Sequence, residues 1–149
     1  MPAVEPCASR YLSRLLRPPA IAAGACALIA TGAAVSAKPT RETRVTATLS
    51  EHSVKAARGT VPRGQVTFAV RNKGKGTHEL LVLWTNATPN ALPQNGGKVE
   101  ERGLVDEVEN VRPGKTRTLT VRLKPGRYVL ICNIAGHYAA GMHAALRVT

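Results

Sequence analysis

The sequence predicts an all-β protein, an antiparallel Greek-key β-sandwich of about seven or eight strands. Three observations predict it. Several segments alternate apolar and polar residues with period two, two short segments are apolar on both faces, and Gly/Pro turn signals separate them. No amphipathic helix of useful length competes.

The strands follow in order. In Arg44–Ser50, Val45, Ala47 and Leu49 alternate with Thr46, Thr48 and Ser50. Val61-Pro62-Arg63-Gly64 turns the chain into Gln65–Arg71, where Val66, Phe68 and Val70 share one face. Leu80–Trp84 and Tyr128–Cys132 are apolar on both faces and read as central strands covered on both sides. Thr118–Leu123 places Leu119, Val121 and Leu123 together, and Ala144–Thr149 does the same with Ala144, Leu146 and Val148. Pro113-Gly114 and Pro125-Gly126 bracket Thr118–Leu123, which suggests a hairpin leading into Tyr128. Thr85–Arg112 is the long irregular segment, with a short helix as one option within Val99–Val111 and its acidic cluster a solvated loop. Trp84 reads as a core residue, and Tyr128 as a core or corner tyrosine of the sandwich.

The beginning of the chain reads differently. Arg10, Arg14 and Arg17 precede an apolar, small-residue run from Ile21 to Val35 that ends in Val35-Ser36-Ala37. That is the pattern of a secretory signal over residues 1–37, cleaved after Ala37, with a retained membrane anchor as the alternative. The mature domain is then 38–149, in a periplasm or other extracytoplasmic compartment. It keeps eighteen basic and eight acidic residues out of a chain whose formal net charge is +12. Of the three cysteines only Cys132 remains, so no internal disulfide is possible. A lone exported thiol is either buried and inert or a metal thiolate, and the count alone does not choose.

Spacing adds what counting lacks. Cys132, His137 and Met142 form Cys-x4-His-x4-Met, and Gly136 and Gly141 each precede one of the later two donors. Parity supplies a further imidazole. His78 shares a strand face with Leu80 and Val82, Cys132 with Tyr128 and Leu130, and Met142 with Ala144 and Leu146. His143 falls on the opposite parity, and His52 has no such support. The selected metal set is therefore His78, Cys132, His137 and Met142. Two imidazoles, a thiolate and a weak axial thioether suit copper. Structural zinc rarely takes a thioether, iron–sulfur clusters need more cysteines, and calcium or magnesium needs oxygen donors.

With these residues the chain resembles the cupredoxins, the small blue copper proteins, and within them the azurin, rusticyanin and auracyanin group. Gly136-His137-Tyr138-Ala139-Ala140-Gly141-Met142 is especially similar to bacterial members. The resemblance implies one type 1 copper cycling between Cu(I) and Cu(II), with His78, Cys132 and His137 equatorial and Met142 axial. The sequence departs from the family's pattern at Ala135, where many relatives have Pro, and at Glu79, where azurins have Asn.

Four protein donors leave no open position for substrate, so the expectation is an electron carrier, not an enzyme. Ile134, Ala135, Tyr138, Ala139 and Ala140 should form a low-charge patch around the edge of His137, where a redox protein such as a cytochrome or oxidase docks. Arg58, Arg63, Arg71, Lys73 and Lys75 would steer an acidic partner. Peripheral membrane association is compatible with the basic surface, and a monomer is expected. Nucleic acid is a poor fit, because the basic residues are dispersed and aromatics make up only 3%. The alternative is a periplasmic copper-binding protein for trafficking or resistance. A copper enzyme would need a further ligand set that the sequence does not contain.

Overall fold

The computed structural model describes residues 42–149, so the signal segment 1–37 lies outside the described residues. Eleven strands follow one another: β1 (Thr43–Ser50), β2 (Ser53–Ala56), β3 (Thr60–Val61), β4 (Gly64–Asn72), β5 (His78–Trp84), β6 (Gln94–Asn95), β7 (Lys98–Val99), β8 (Leu104–Val111), β9 (Thr116–Leu123), β10 (Gly126–Ile131) and β11 (His143–Val148). They build a four-stranded sheet in the order β2-β1-β4-β9, a five-stranded sheet in the order β3-β11-β10-β5-β8, and the small hairpin β6-β7.

Period-two alternation creates the space between the two large sheets. Val45, Ala47, Leu49, Val66, Phe68, Val70, Leu119, Val121 and Leu123 point inward from the first sheet. Leu80, Val82, Tyr128, Leu130, Leu146 and Val148 meet them from the second. Buried apolar area of this kind contributes roughly 25 cal/mol per Å2 and is the main term holding the layers together. The two segments that are apolar on both faces become β5 and β10, at the centre of the five-stranded sheet. Their other faces bury Leu81, Leu83, Val129 and Ile131 beneath Leu92, Val99 and Tyr138. The segment after Trp84 is therefore a lid over the outer face of that sheet. All the strands and both apolar clusters lie within the single compact unit formed by the described chain.

The structure corrects five expectations. The sandwich is mixed, because β1 pairs parallel with β4 and β3 parallel with β11. Val99–Val111 holds no helix: Leu104–Val111 is β8, an edge strand paired antiparallel with β5. Its bulged register and exposed carboxylates leave no regular alternation along it. Pro125-Gly126 does not close a hairpin, since β9 and β10 belong to different sheets and the turn carries the chain from one layer to the other. Trp84 is 57% exposed, at the open mouth of the sandwich, and is not core. Tyr138 is buried and not part of an exposed patch. Tyr128 is the corner tyrosine expected: its hydroxyl donates to the Lys124 carbonyl at 2.9 Å and accepts from the Lys124 N–H at 3.1 Å.

Candidate metal centre

β10 ends at Ile131, and the next residue, Cys132, continues its inward parity into the inter-sheet space. The loop that follows folds back on itself. The His137 N–H donates to the Ile134 carbonyl at 2.9 Å, the Met142 N–H to the His137 carbonyl at 3.1 Å, and the Cys132 N–H to the Met142 carbonyl at 3.1 Å. Gly136 and Gly141 adopt φ of 81° and 104°, which only glycine takes without strain. A side chain at Gly141 would also lie 3.0 Å from the His52 carbonyl. The five-residue spacings thus bring three donor-bearing residues of one loop together.

The remaining donor comes from another strand. His78 opens β5 and is buried with only 1% of its surface exposed. Its Nδ1 lies 3.3 Å from His137 Nδ1 and 3.9 Å from Cys132 Sγ, and His137 Nδ1 lies 3.4 Å from that sulfur. A triangle with these sides has its centre about 2.1 Å from each corner, within the roughly 2.0–2.3 Å span of metal–nitrogen and metal–sulfur bonds. Two imidazole nitrogens turned toward one point repel unless a cation or proton lies between them, so the arrangement suits a metal ion. Met142 is fully buried in the same apolar cluster as Cys132. Among the described residues, His78, Cys132 and His137 are the group of His, Cys and carboxylate side chains that converges in this way. The donor set of two imidazoles, a thiolate and a thioether fits copper best.

The surroundings fix these donors. Burial pushes the Cys132 thiol up, while the N–H groups of Ile134 and Glu79 aim at the sulfur and favour the thiolate. Burial also lowers the basicity of His78, and the neighbouring His137 acts in the same direction. His78 Nε2 is buried without a hydrogen-bond partner. The Lys73–Gly76 turn closes over that edge. Gly74 approaches so nearly that a Cβ would lie 2.9 Å from His78 Nε2. The turn is held on two sides. Asn72 is fully buried, takes the Gly74 N–H at 2.7 Å and donates to the Gly76 and Val111 carbonyls. The Glu51 carboxylate accepts from the Lys75 and Gly76 N–H groups, which lowers its pKa to about 2.

Behind the sulfur sits Asn133. Its Oδ1 accepts the Val99 N–H at 2.6 Å, and its Nδ2 donates to the Val99 carbonyl at 3.1 Å and to Glu101 Oε1 at 2.9 Å. Its own N–H donates to Glu79 Oε1 at 3.1 Å, so the departure at Glu79 supplies a bond between the strand of His78 and the loop of Cys132. Half-burial raises the Glu79 pKa, and the Asn133 N–H opposes this. Sequence reasoning missed Asn72, Asn133 and Glu51. Asn133 directly follows the cysteine, which was the one available signal; nothing in the sequence joins Glu51 to Lys75.

His143 is half-buried on the other face of β11, with its ring 5.2 Å from that of Tyr138, and His52 is exposed. His143→Ala should leave the visible spectrum of the copper-loaded protein unchanged and cost about 1 kcal/mol of stability from the lost ring contact. A lost or shifted band would make His143 a ligand.

Comparison with known proteins agrees with this geometry. No curated protein sequence matches the chain. The structure is similar to reduced auracyanin from Roseiflexus castenholzii, with 20% identity over 72% of this chain and 96% of that one and a TM-score of 0.51. It is similar to auracyanin B, with 22% identity over 77% and 93% of the two chains and a TM-score of 0.53. It is also similar to rusticyanin from Thiobacillus ferrooxidans, with 19% identity over 72% and 77% of the two chains and a TM-score of 0.59. At these identities the likeness is one of fold. The model of the cupredoxin-like domain matches residues 19–143, which takes in every strand up to β10 and the whole Cys132–Met142 loop, and on that match the chain belongs to the cupredoxin-like family.

Proposed function

We propose that this protein is an exported type 1 copper protein that carries single electrons between redox partners. The observation that carries the reading is the triangle of His78 Nδ1, Cys132 Sγ and His137 Nδ1, whose centre lies at bonding distance from all three. One of the similar structures is described as the copper protein rusticyanin. When bound there, copper supplies a one-electron couple.

The chain's own residues do the rest. The turn at Lys73–Gly76, the Asn133 bonds and the loop hydrogen bonds hold the donors in place whichever charge the ion carries, so little rearrangement accompanies transfer. Leu80, Leu130 and Met142, all fully buried, exclude water from the inner side. His137 alone of the three reaches the surface, half-buried among Ile134, Ala135, Ala139 and Ala140. That low-charge edge is the exit for the electron and the place for a weakly docked partner. Lys73 and Lys75, exposed on the turn that covers His78, favour an acidic one.

The test is a redox titration of the copper-loaded protein followed in the visible spectrum. Colour that bleaches on reduction and returns fully on oxidation supports a carrier. Copper that leaves the protein on reduction and passes to an acceptor supports trafficking instead. Met142→Leu should keep the colour and raise the reduction potential, because Cu(II) gains more than Cu(I) from an added donor. An unchanged potential would deny Met142 the axial place.

A further inference from the structure

The end of the sandwich opposite the metal has a composition of its own. β5 begins with His78 and ends with Trp84, about 20 Å away along the strand at 3.3 Å per residue. Trp84, Leu104 and Val105 are the exposed large apolar residues among those described, at 57%, 38% and 40%. Leu104 pairs with Leu83, next to Trp84, and Trp84 and Val105 line a shallow cleft with Arg122, Lys124 and Tyr128. The indole lies over Gly126.

This end is basic as well as apolar. Arg122 and Lys124 are exposed in the cleft beside the tryptophan, and Arg127 is exposed at the same strand end, next to Tyr128. Of the carboxylates bordering the region, Glu42 is paired with Thr67 and Arg44 and Glu100 with Arg102, while Asp106, next to Val105, accepts only the neighbouring Glu107 N–H and keeps its charge, outnumbered by the cations around it. Six of the eight carboxylates after residue 37 fall between Glu79 and Glu109, along β5, β8 and the segment between them. The chain also enters the sandwich here, since Thr43 pairs with Val66 two residues from Gly64, the partner of Leu123.

We infer that this end is an adsorption surface for an anionic phospholipid bilayer. A tryptophan with an apolar body and a polar N–H is suited to the boundary between headgroups and acyl chains, and flanking cations complement lipid phosphates. One indole and two partly exposed aliphatic side chains give shallow seating and reversible binding, not insertion. Adsorbed in this way, the domain presents the His137 edge away from the membrane, where soluble partners reach it. The inference does not depend on the copper reading, as none of its residues touches the metal site.

The test uses residues 38–149, the compact domain, with vesicles of phosphatidylcholine alone or with one-third phosphatidylglycerol. Trp84 is the single tryptophan, so its emission reports directly on the patch. Anionic vesicles should co-sediment the protein, shift the emission to the blue and protect it from iodide; neutral vesicles should do so weakly, and salt should reverse it. Trp84→Ala should weaken co-sedimentation about tenfold. Arg122→Gln with Lys124→Gln should weaken it about 25-fold, at roughly fivefold per basic residue removed. The control Lys73→Gln with Lys115→Gln, at the other end, should leave binding within twofold. Emission that ignores vesicles, or an equal loss in the control pair, would overturn the inference. So would self-association that buries Trp84 without lipid, which would make the occupant a second copy of the chain.

Discussion

Cys132→Ala removes the intense visible band of the Cu(II)-loaded protein entirely, while the metal-free fold survives. The band is a charge-transfer transition from thiolate sulfur to Cu(II), and Cys132 is the only cysteine the domain contains after residue 37. Its sulfur stands 3.4 Å and 3.9 Å from the two imidazole nitrogens, and no second thiol among the described residues is there to replace it. The loss of one buried sulfur atom costs the metal-free protein only about 1 kcal/mol. The measurement is an absorption spectrum of wild type and variant titrated with Cu(II), with circular dichroism of the metal-free forms beside it. A visible band that persists in the variant would mean that the thiolate is not the ligand, and the triangle would lose its chemical meaning.

Asn133→Ala lowers stability by about 2–4 kcal/mol, because it strands a buried N–H and C=O of Val99 and frees the Glu101 carboxylate. For a domain of this size that is a fall in Tm of roughly 10 °C. Asn133 is only 2% exposed, so water cannot replace the lost partners without opening the structure. Asn133→Leu keeps the volume and should lose as much, which separates hydrogen bonding from packing. The effect should also be local. β6 and β7 are two residues each and owe their position to Asn133 and to the bond from the Gly136 N–H to the Gly97 carbonyl. Amide exchange at Gln94–Val99 should therefore quicken more than exchange in β4 or β10. A leucine variant as stable as wild type would show that packing, not the amide, holds the hairpin.

Six strands were legible because each has a covered face that alternation exposes: β1, β4, β5, β9, β10 and β11 all lie where period two or a doubly apolar run puts them. β8 was not, since Asp106, Glu107 and Glu109 place carboxylates on both of its faces at an edge that covers little of it. β2, β3, β6 and β7 run four residues or fewer, too short for any period to register. Trp84 was misplaced for a related reason. Its parity is that of Leu80 and Val82, but alternation says which way a side chain points and not whether the opposing layer extends far enough to cover it.

The chain by itself determined the chemistry of the site. Donor types are fixed by residue identity, and the spacing of Cys132, His137 and Met142 within one short loop limits how far apart they can be. Parity then placed His78 on the same side of its sheet as Cys132. Only the tertiary structure decided that His78 Nδ1 comes within 3.3 Å of His137 Nδ1, that Glu79 ties the two ligand-bearing segments together, and that the donor cluster and Trp84 lie at opposite ends of the sandwich. Periodicity is a property of one strand at a time. Which strands become neighbours, in which direction and at what register depends on contacts between residues far apart in sequence, and those are settled only when the two layers pack.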